Sequence, residues 1–174
     1  MKTMIYKNRY LSPIGGILME SDGEALTGLY FEKPQDLDDL QEGGEDLSVF
    51  NQTRRWLDDY FEGQAPEFTP PLRAEGSPFC KSVWEILLTI PFGETTTYGE
   101  IAACIAKQRG IRKMSAQAVG GAVSRNPIAL IIPCHRVIGS GGDLTGYAGG
   151  LDRKAWLLEL EKQSIQAMRR SHLR

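Results

Sequence analysis

The 174-residue chain predicts an α/β fold in two parts: a small N-terminal antiparallel β-sheet with a helix, then a mostly helical C-terminal domain with a helix-turn-helix. Alternation predicts the first part. Apolar and polar residues alternate over residues 4–10, 16–20 and 26–32, as in half-buried strands. Helical spacing follows, with Phe50, Trp56, Leu57, Tyr60 and Phe61 falling on one side of residues 48–61. Beyond residue 76 the cap signals Ser77-Pro78, Thr97 with Glu100, and Ser115 each precede a helical run.

Taken in order, the turn Ser21-Asp22-Gly23 joins the second and third strands of an antiparallel meander. Residues 34–46, rich in Asp, Glu and Gly, read as a solvated loop with a helical turn near 37–40. The helix over 48–61 has Ser48 to cap it and Gly63 to end it, and its aromatic residues are expected to pack on the meander. Pro66, Pro70 and Pro71 mark an extended connection. The expected division is therefore an N-terminal domain 1–68, a linker 69–76 and a C-terminal domain 77–174.

In the second part, Ser77 caps a helix with Pro78 in its first turn. Its apolar stripe is Phe79, Val83, Leu87 and Ile90, and Pro91-Phe92-Gly93 ends it. Thr97-Tyr98-Gly99-Glu100 matches a capping box and opens a helix to about residue 106. Gly110 turns the chain, and Ser115 starts a helix over 116–124. Such a pair is either a helix-turn-helix or an ordinary packing unit. Gln117, Ala118, Gly120, Gly121 and Ala122 make the second helix small-faced, although a helical glycine costs about 1 kcal/mol against alanine. Small residues allow either tight packing on a neighbouring helix or close approach to DNA. The apolar residues 128–132 then read as a short buried strand between Asn126-Pro127 and Pro133.

The net charge of -2 hides an asymmetry. Residues 1–76 carry seven basic and fifteen acidic side chains, whereas the remainder carries thirteen basic and seven acidic. A basic C-terminal part suits a polyanionic partner. No apolar stretch approaches the roughly 18 residues of a membrane span and no signal segment is visible, so a cytoplasmic location is expected. Three cysteines without C-x-x-C or zinc spacing predict reduced thiols, no metal and no cofactor.

The most informative segment is Pro133-Cys134-His135-Arg136-Val137. A thiol of pKa about 8.5 is only a few per cent thiolate at pH 7, so a nucleophilic cysteine needs a base or a positive field. His135 and Arg136 offer both. A cysteine after an apolar run is also commonly an inert core residue. Its polar neighbours favour chemistry, while Cys80 and Cys104 lack such neighbours and read as structural.

Ile132-Pro133-Cys134-His135-Arg136-Val137 follows Ala118-Val119-Gly120-Gly121-Ala122 and Asn126-Pro127, and precedes Gly146-Tyr147-Ala148-Gly149-Gly150-Leu151. Together with Val83-Trp84, Ile90-Pro91-x-Gly93 and Tyr98-Gly99-Glu100, these segments resemble the O6-alkylguanine-DNA alkyltransferases across residues 79–161. The N-terminal part is similar to that family only in size and strand-helix pattern. The resemblance implies a ribonuclease H-like N-terminal domain and a winged-helix-like C-terminal domain that binds double-stranded DNA in the minor groove as a monomer. It implies irreversible, single-turnover transfer of an alkyl group from a flipped O6-alkylguanine, with O4-alkylthymine a second candidate substrate, to Cys134. By the same resemblance, His135 takes the thiol proton through a water and Glu161, at the end of a helix over 152–160, orients the imidazole. Tyr98 donates to N3 of the base, and Asn126 is a hinge. Val137, Tyr147, Ala148, Gly149 and Gly150 line the pocket, and Gln117, Ala118, Gly121, Arg136 and Lys154 complete the substrate- and DNA-binding set.

Lowering the Cys134 pKa from about 8.5 to about 6 requires roughly 3.4 kcal/mol of thiolate stabilisation, which a neighbouring imidazolium is expected to supply. Gln117 stands where many members of that family have arginine, Ala148 where some have serine, and the zinc site of some relatives is missing. Two other classes remain open. A cysteine hydrolase also pairs Cys with His, but the other histidine, His172, lies in a C-terminal tail expected to fray; a DNA-binding sensor would use the helix-turn-helix without transfer.

Overall fold

The computed structural model describes residues 4–173. They divide into two compact units, one running to Glu75 and including Pro127–Ala129, the other comprising Gly76–Asn126 and the described residues from Leu130 onward.

The first unit is a meander of β1 (Tyr6–Ser12), β2 (Gly15–Ser21) and β3 (Leu26–Phe31), antiparallel in that order. Its second turn forms for a reason the sequence carries. Ser21 Oγ accepts from the Gly23 amide at 2.9 Å and donates to the Ala25 carbonyl at 2.7 Å, and Asp22 Oδ1 accepts from the Glu24 and Ala25 amides. The alternation expected of β2 does not hold. Ile17, Leu18 and Met19 are buried in succession, as in a strand covered on both faces.

The expected helical turn at 37–40 lies earlier, at α1 (Pro34–Leu37), because Pro34 sits in the first turn and the Lys33 amide donates to Asp36 at 2.7 Å. Next comes α2 (Ser48–Phe61), which buries Phe50, Trp56, Leu57 and Tyr60. Ser48 does not cap it: Leu47 is the N-cap residue, and the Ser48 hydroxyl accepts instead from Gln52 at 3.1 Å. Two short segments complete the edge of β3. The Leu26 amide donates to Pro71 O and the Arg73 amide to Leu26 O, while the Leu29 amide donates to Pro127 O and the Ala129 amide to Leu29 O. The Pro-rich stretch after α2 is thus fastened to the sheet.

The second unit contains α3 (Pro78–Leu87), β4 (Thr96–Thr97), α4 (Tyr98–Arg109), α5 (Ala116–Ser124), a 3-10 turn at Cys134–Arg136, β5 (Val137–Ile138) and α6 (Leu151–His172). Its caps are those the sequence predicts: Ser77 accepts from the Cys80 amide, Ser115 from the Ala118 amide, and Thr97 and Glu100 form a reciprocal capping box. Helices α3 and α5 are tied by Trp84, whose indole donates to Ala122 O at 2.9 Å. A two-stranded parallel ribbon, β4 with β5, sets the start of α4 beside the residues after the Cys134 turn.

Two expectations fail here. Residues 128–132 are not a strand: Ile128 forms only an isolated bridge, and Leu130, at φ 71, turns the chain. The run is buried as expected, but burial alone does not distinguish an extended segment from a turn packed inside. Helix α6 runs on to His172, because residues 161–172 contain no helix breaker. Among the described residues no helix is long and apolar enough to cross a membrane.

Gly110 ends α4 at φ 63, and a Cβ added there meets nothing within 4 Å. Gly110→Ala therefore isolates the cost of a left-handed backbone, and equilibrium urea unfolding should register a loss of about 1 kcal/mol with no change in slope.

Candidate active site and DNA-facing helix

Cys134 opens the 3-10 turn, fixed by its own amide donating to Ile132 O at 2.8 Å and the Arg136 amide donating to Pro133 O at 3.0 Å. Asn126 steadies the approach, its side-chain amide donating to Ile132 O at 2.8 Å. His135 follows into the interior and is fully buried. Its Nε2 meets Glu161 Oε2 at 2.5 Å. The other carboxylate oxygen, Oε1, accepts from Arg136 Nε and from the Gly93 amide, both at 2.8 Å. Arg136 Nη1 in turn donates to Ile90 O at 2.7 Å, and the guanidinium lies 5.8 Å from the centre of the Phe92 ring.

Burial opposes every charge in this cluster, and partners decide which survive. Glu161 would be pushed up by desolvation, but His135, Arg136 and the Gly93 amide outweigh it and hold the carboxyl at about 2. It is a carboxylate at any working pH. Because its folded pKa is depressed, the stability it contributes is present above the usual carboxylate range and is lost as pH falls toward about 2. His135 goes the other way in charge: burial, assisted by the positive charges of Arg136 and Lys154, lowers its pKa despite the Glu161 bond. The ring is neutral at pH 7. An ionised Glu161 then requires the proton on Nε2, leaving Nδ1 as the basic nitrogen.

Cys134 does not meet the expectation of a preformed thiolate. Desolvation raises its pKa, and the opposing pull of the Asn126 side chain, the Lys154 charge and nearby backbone amides does not reverse the shift. The resting pair is a neutral thiol beside a neutral imidazole. No imidazolium is available to lower the thiol, because burial holds His135 uncharged.

Other expected residues land as follows. Tyr98, at the first position of α4, donates its hydroxyl to Thr145 O at 3.1 Å. Val137 is buried, Tyr147 and Gly149 are half-buried and Ala148 is exposed. Burial, and then the neighbouring Cys134, push the Tyr147 hydroxyl well above its usual range. Arg136 and Lys154, expected among the DNA and substrate contacts, are both turned inward. Arg136 is spent on Glu161 and Ile90, and Lys154 donates to Thr145 O at 2.8 Å. Gly93 and Ile90, which hold the cluster together through backbone groups, are visible in sequence only as a helix end and an apolar-stripe residue and within Ile90-Pro91-x-Gly93. A backbone donor leaves no mark of its own on residue type.

The small-faced helix α5 points Gln117 and Ala118 to solvent while Val119, Ala122 and Val123 are buried. Its glycines are not required by packing. A Cβ at Gly120 would meet only the Tyr98 ring at 3.8 Å, and one at Gly121 only Arg125 at 3.8 Å. Close packing on a neighbouring helix is met at Ala122, buried with its carbonyl accepting from the Trp84 indole of α3, and not at the two glycines.

Comparisons with known proteins cover nearly the whole chain. Residues 78–163 match the model of the 6-O-methylguanine DNA methyltransferase DNA binding domain, and residues 5–74 that of the ribonuclease-like domain of the same name. The methylated-DNA–protein-cysteine methyltransferase of Methanosarcina barkeri is 47% identical over 89% of this chain and 96% of its own length. That of Haemophilus influenzae is 43% identical over 92% of this chain and 88% of its own. Among solved structures, Mycobacterium tuberculosis O6-methylguanine methyltransferase is similar at a TM-score of 0.76 and 42% identity, covering 92% of this chain and 94% of that one. Mycobacterium tuberculosis OGT in complex with DNA gives a TM-score of 0.77 at 42% identity, covering 91% and 94%.

The inward Arg136 yields a sharp expectation. Arg136→Met removes one partner of a buried carboxylate and should destabilise the protein by about 3 kcal/mol, read from denaturant melts. The salt slope of binding to undamaged duplex should not move, whereas loss of a phosphate contact would reduce it by about one.

Proposed function

The chain belongs to the 6-O-methylguanine DNA methyltransferase family, and from that premise we propose that it repairs DNA by moving the alkyl group of an O6-alkylguanine in a duplex onto its own Cys134. The observation that carries this reading is the 2.5 Å His135–Glu161 contact directly after the cysteine, with Glu161 ionised and His135 neutral. Such a pair can take a proton. It supports proton removal during transfer in place of a standing thiolate.

In the proposed step, the Cys134 sulfur attacks the alkyl carbon as the bond from that carbon to O6 breaks, and the electron pair leaves with the base. The thiol proton passes through water to His135 Nδ1, and the positive charge that develops is held by Glu161. Tyr98 protonates N3 of the departing guanine and recovers a proton from the His135 side through solvent. The balance is one thiol and one alkylated base in, one thioether and one guanine out. A thioether has no route back to the thiol, so each molecule acts once.

Reaching the target atom requires the nucleotide to be extruded, at a cost of a few kcal/mol. Helix α5 supports minor-groove approach, since its solvent-facing residues include the small Ala118 beside Gln117. Val137, Tyr147, Ala148 and Gly149 are proposed to surround the flipped base, with Asn126 at the hinge. No metal or cofactor is needed for this chemistry, and we assign the activity to a monomer in the cytoplasm.

The test is direct. Incubation with a duplex carrying one O6-methylguanine should add one methyl group per protein, found by mass spectrometry on the tryptic peptide of Cys134, and Cys134→Ala should add none. A peptide without the increment at stoichiometric substrate removes the transferase reading and leaves DNA binding without transfer.

Gln117 is exposed on α5 and keeps amide atoms but no charge. Gln117→Arg should tighten binding to undamaged duplex and steepen the log–log salt dependence by about 0.9, the release of one counterion. An unchanged slope would place this side chain away from the phosphates.

A further inference from the structure

One carbonyl oxygen in the loop before α6 accepts from side chains of two different helices. Tyr98, on α4, donates to Thr145 O at 3.1 Å, and Lys154, on α6, donates to the same oxygen at 2.8 Å and to Gly146 O at 3.4 Å. Lys154 is fully buried. An ammonium taken out of water costs several kcal/mol unless its donors are satisfied, and two main-chain carbonyls accept from this one. The loop needs such tethers. Between β5 and α6 it has no regular structure and turns on Gly142, Gly146 and Gly150 at φ 83, 53 and 94.

We propose that Tyr98 and Lys154 form a two-donor clamp on the Thr145 carbonyl, with Tyr98 the releasable half. When the damaged base enters, the Tyr98 hydroxyl leaves Thr145 for the base, and Lys154, a positioning residue, holds the Thr145 carbonyl alone, while Arg153 keeps its bond to Gly149 O at 3.1 Å. This rests on Tyr98 being the donor to the flipped base.

The two donors are unequal in the sense the exchange demands. A neutral hydroxyl is worth about 1 kcal/mol net and rotates freely about its C–O bond, so trading one acceptor for another is nearly neutral. A charge-assisted bond is roughly twice as strong, and a buried ammonium that let go would be stranded. Double donation also keeps Thr145 O satisfied after Tyr98 departs. Without Lys154, base entry would leave that carbonyl without a side-chain donor and loosen the part of the loop before Gly149, which is proposed to surround the base.

The experiment uses the full chain carrying Cys134→Ala, so that nothing is transferred, and follows amide hydrogen exchange over residues 143–150. It is run free and saturated with a duplex containing one O6-methylguanine. In the free protein, Tyr98→Phe should speed exchange of this loop about fivefold, the factor for one net hydrogen bond. In the complex that difference should vanish, because Tyr98 no longer holds Thr145. Lys154→Met should speed exchange at least about tenfold in both states. The proposal is overturned if Tyr98→Phe leaves the free loop unchanged, if its effect persists undiminished in the complex, or if Lys154→Met alters neither state. Should Lys154→Met fail to fold, the Tyr98→Phe pair of measurements decides alone. Failure of methyl transfer to wild-type Cys134 would sink the proposed function but leave the free-protein comparison standing.

Discussion

The second unit is organised around a single buried carboxylate. Glu161 sends one oxygen to His135 and the other to Arg136 and the Gly93 amide, so three segments far apart in sequence meet on two atoms. Such a group is costly to bury and its partners have little freedom, because any vacancy among them leaves an uncompensated charge. Arg136 reaches back to Ile90 O, which fixes the turn after α3 to the turn that carries Cys134. The positions of the imidazole and of the residue before it therefore follow from the satisfaction of one side chain.

Stability and reactivity share this arrangement. Burial that holds His135 neutral also raises the thiol, so the resting protein stores no reactive thiolate that stray electrophiles could consume. For a protein proposed to act once, that reticence is useful. In the proposed reaction a bound alkyl group meets the sulfur while the imidazole, bonded to an ionised carboxylate, accepts the proton.

Much of this was legible in the sequence, for identifiable reasons. Ser77, Thr97 with Glu100, and Ser115 announced three helices because capping uses side-chain oxygens at fixed offsets. Cys134 and His135 stood out as rare residue types in adjacent positions. Glu161 looked like any surface acid, and only the family resemblance singled it out. Arg136 and Lys154 enter the substrate- and DNA-binding set by resemblance alone, and the fold turns both side chains inward, onto a carboxylate and a carbonyl. The apolar run ending at Ile132 gave its burial correctly but not its shape, since the left-handed turn falls on Leu130, a residue type that rarely adopts one.

The edge of β3 has a consequence for how such a chain can be divided. Three residues, Pro127–Ala129, belong by contact to the first unit although they lie only a few positions before the cysteine. A gene fragment ending at residue 75 would encode the meander and α2 but would strip Leu29 of both its backbone partners, exposing a bare strand edge to whatever chain is nearby. The two units are thus not interchangeable cassettes. Recombination that swapped the acidic N-terminal unit for another would also have to supply a strand able to receive Ile128, so the two have reason to be inherited together.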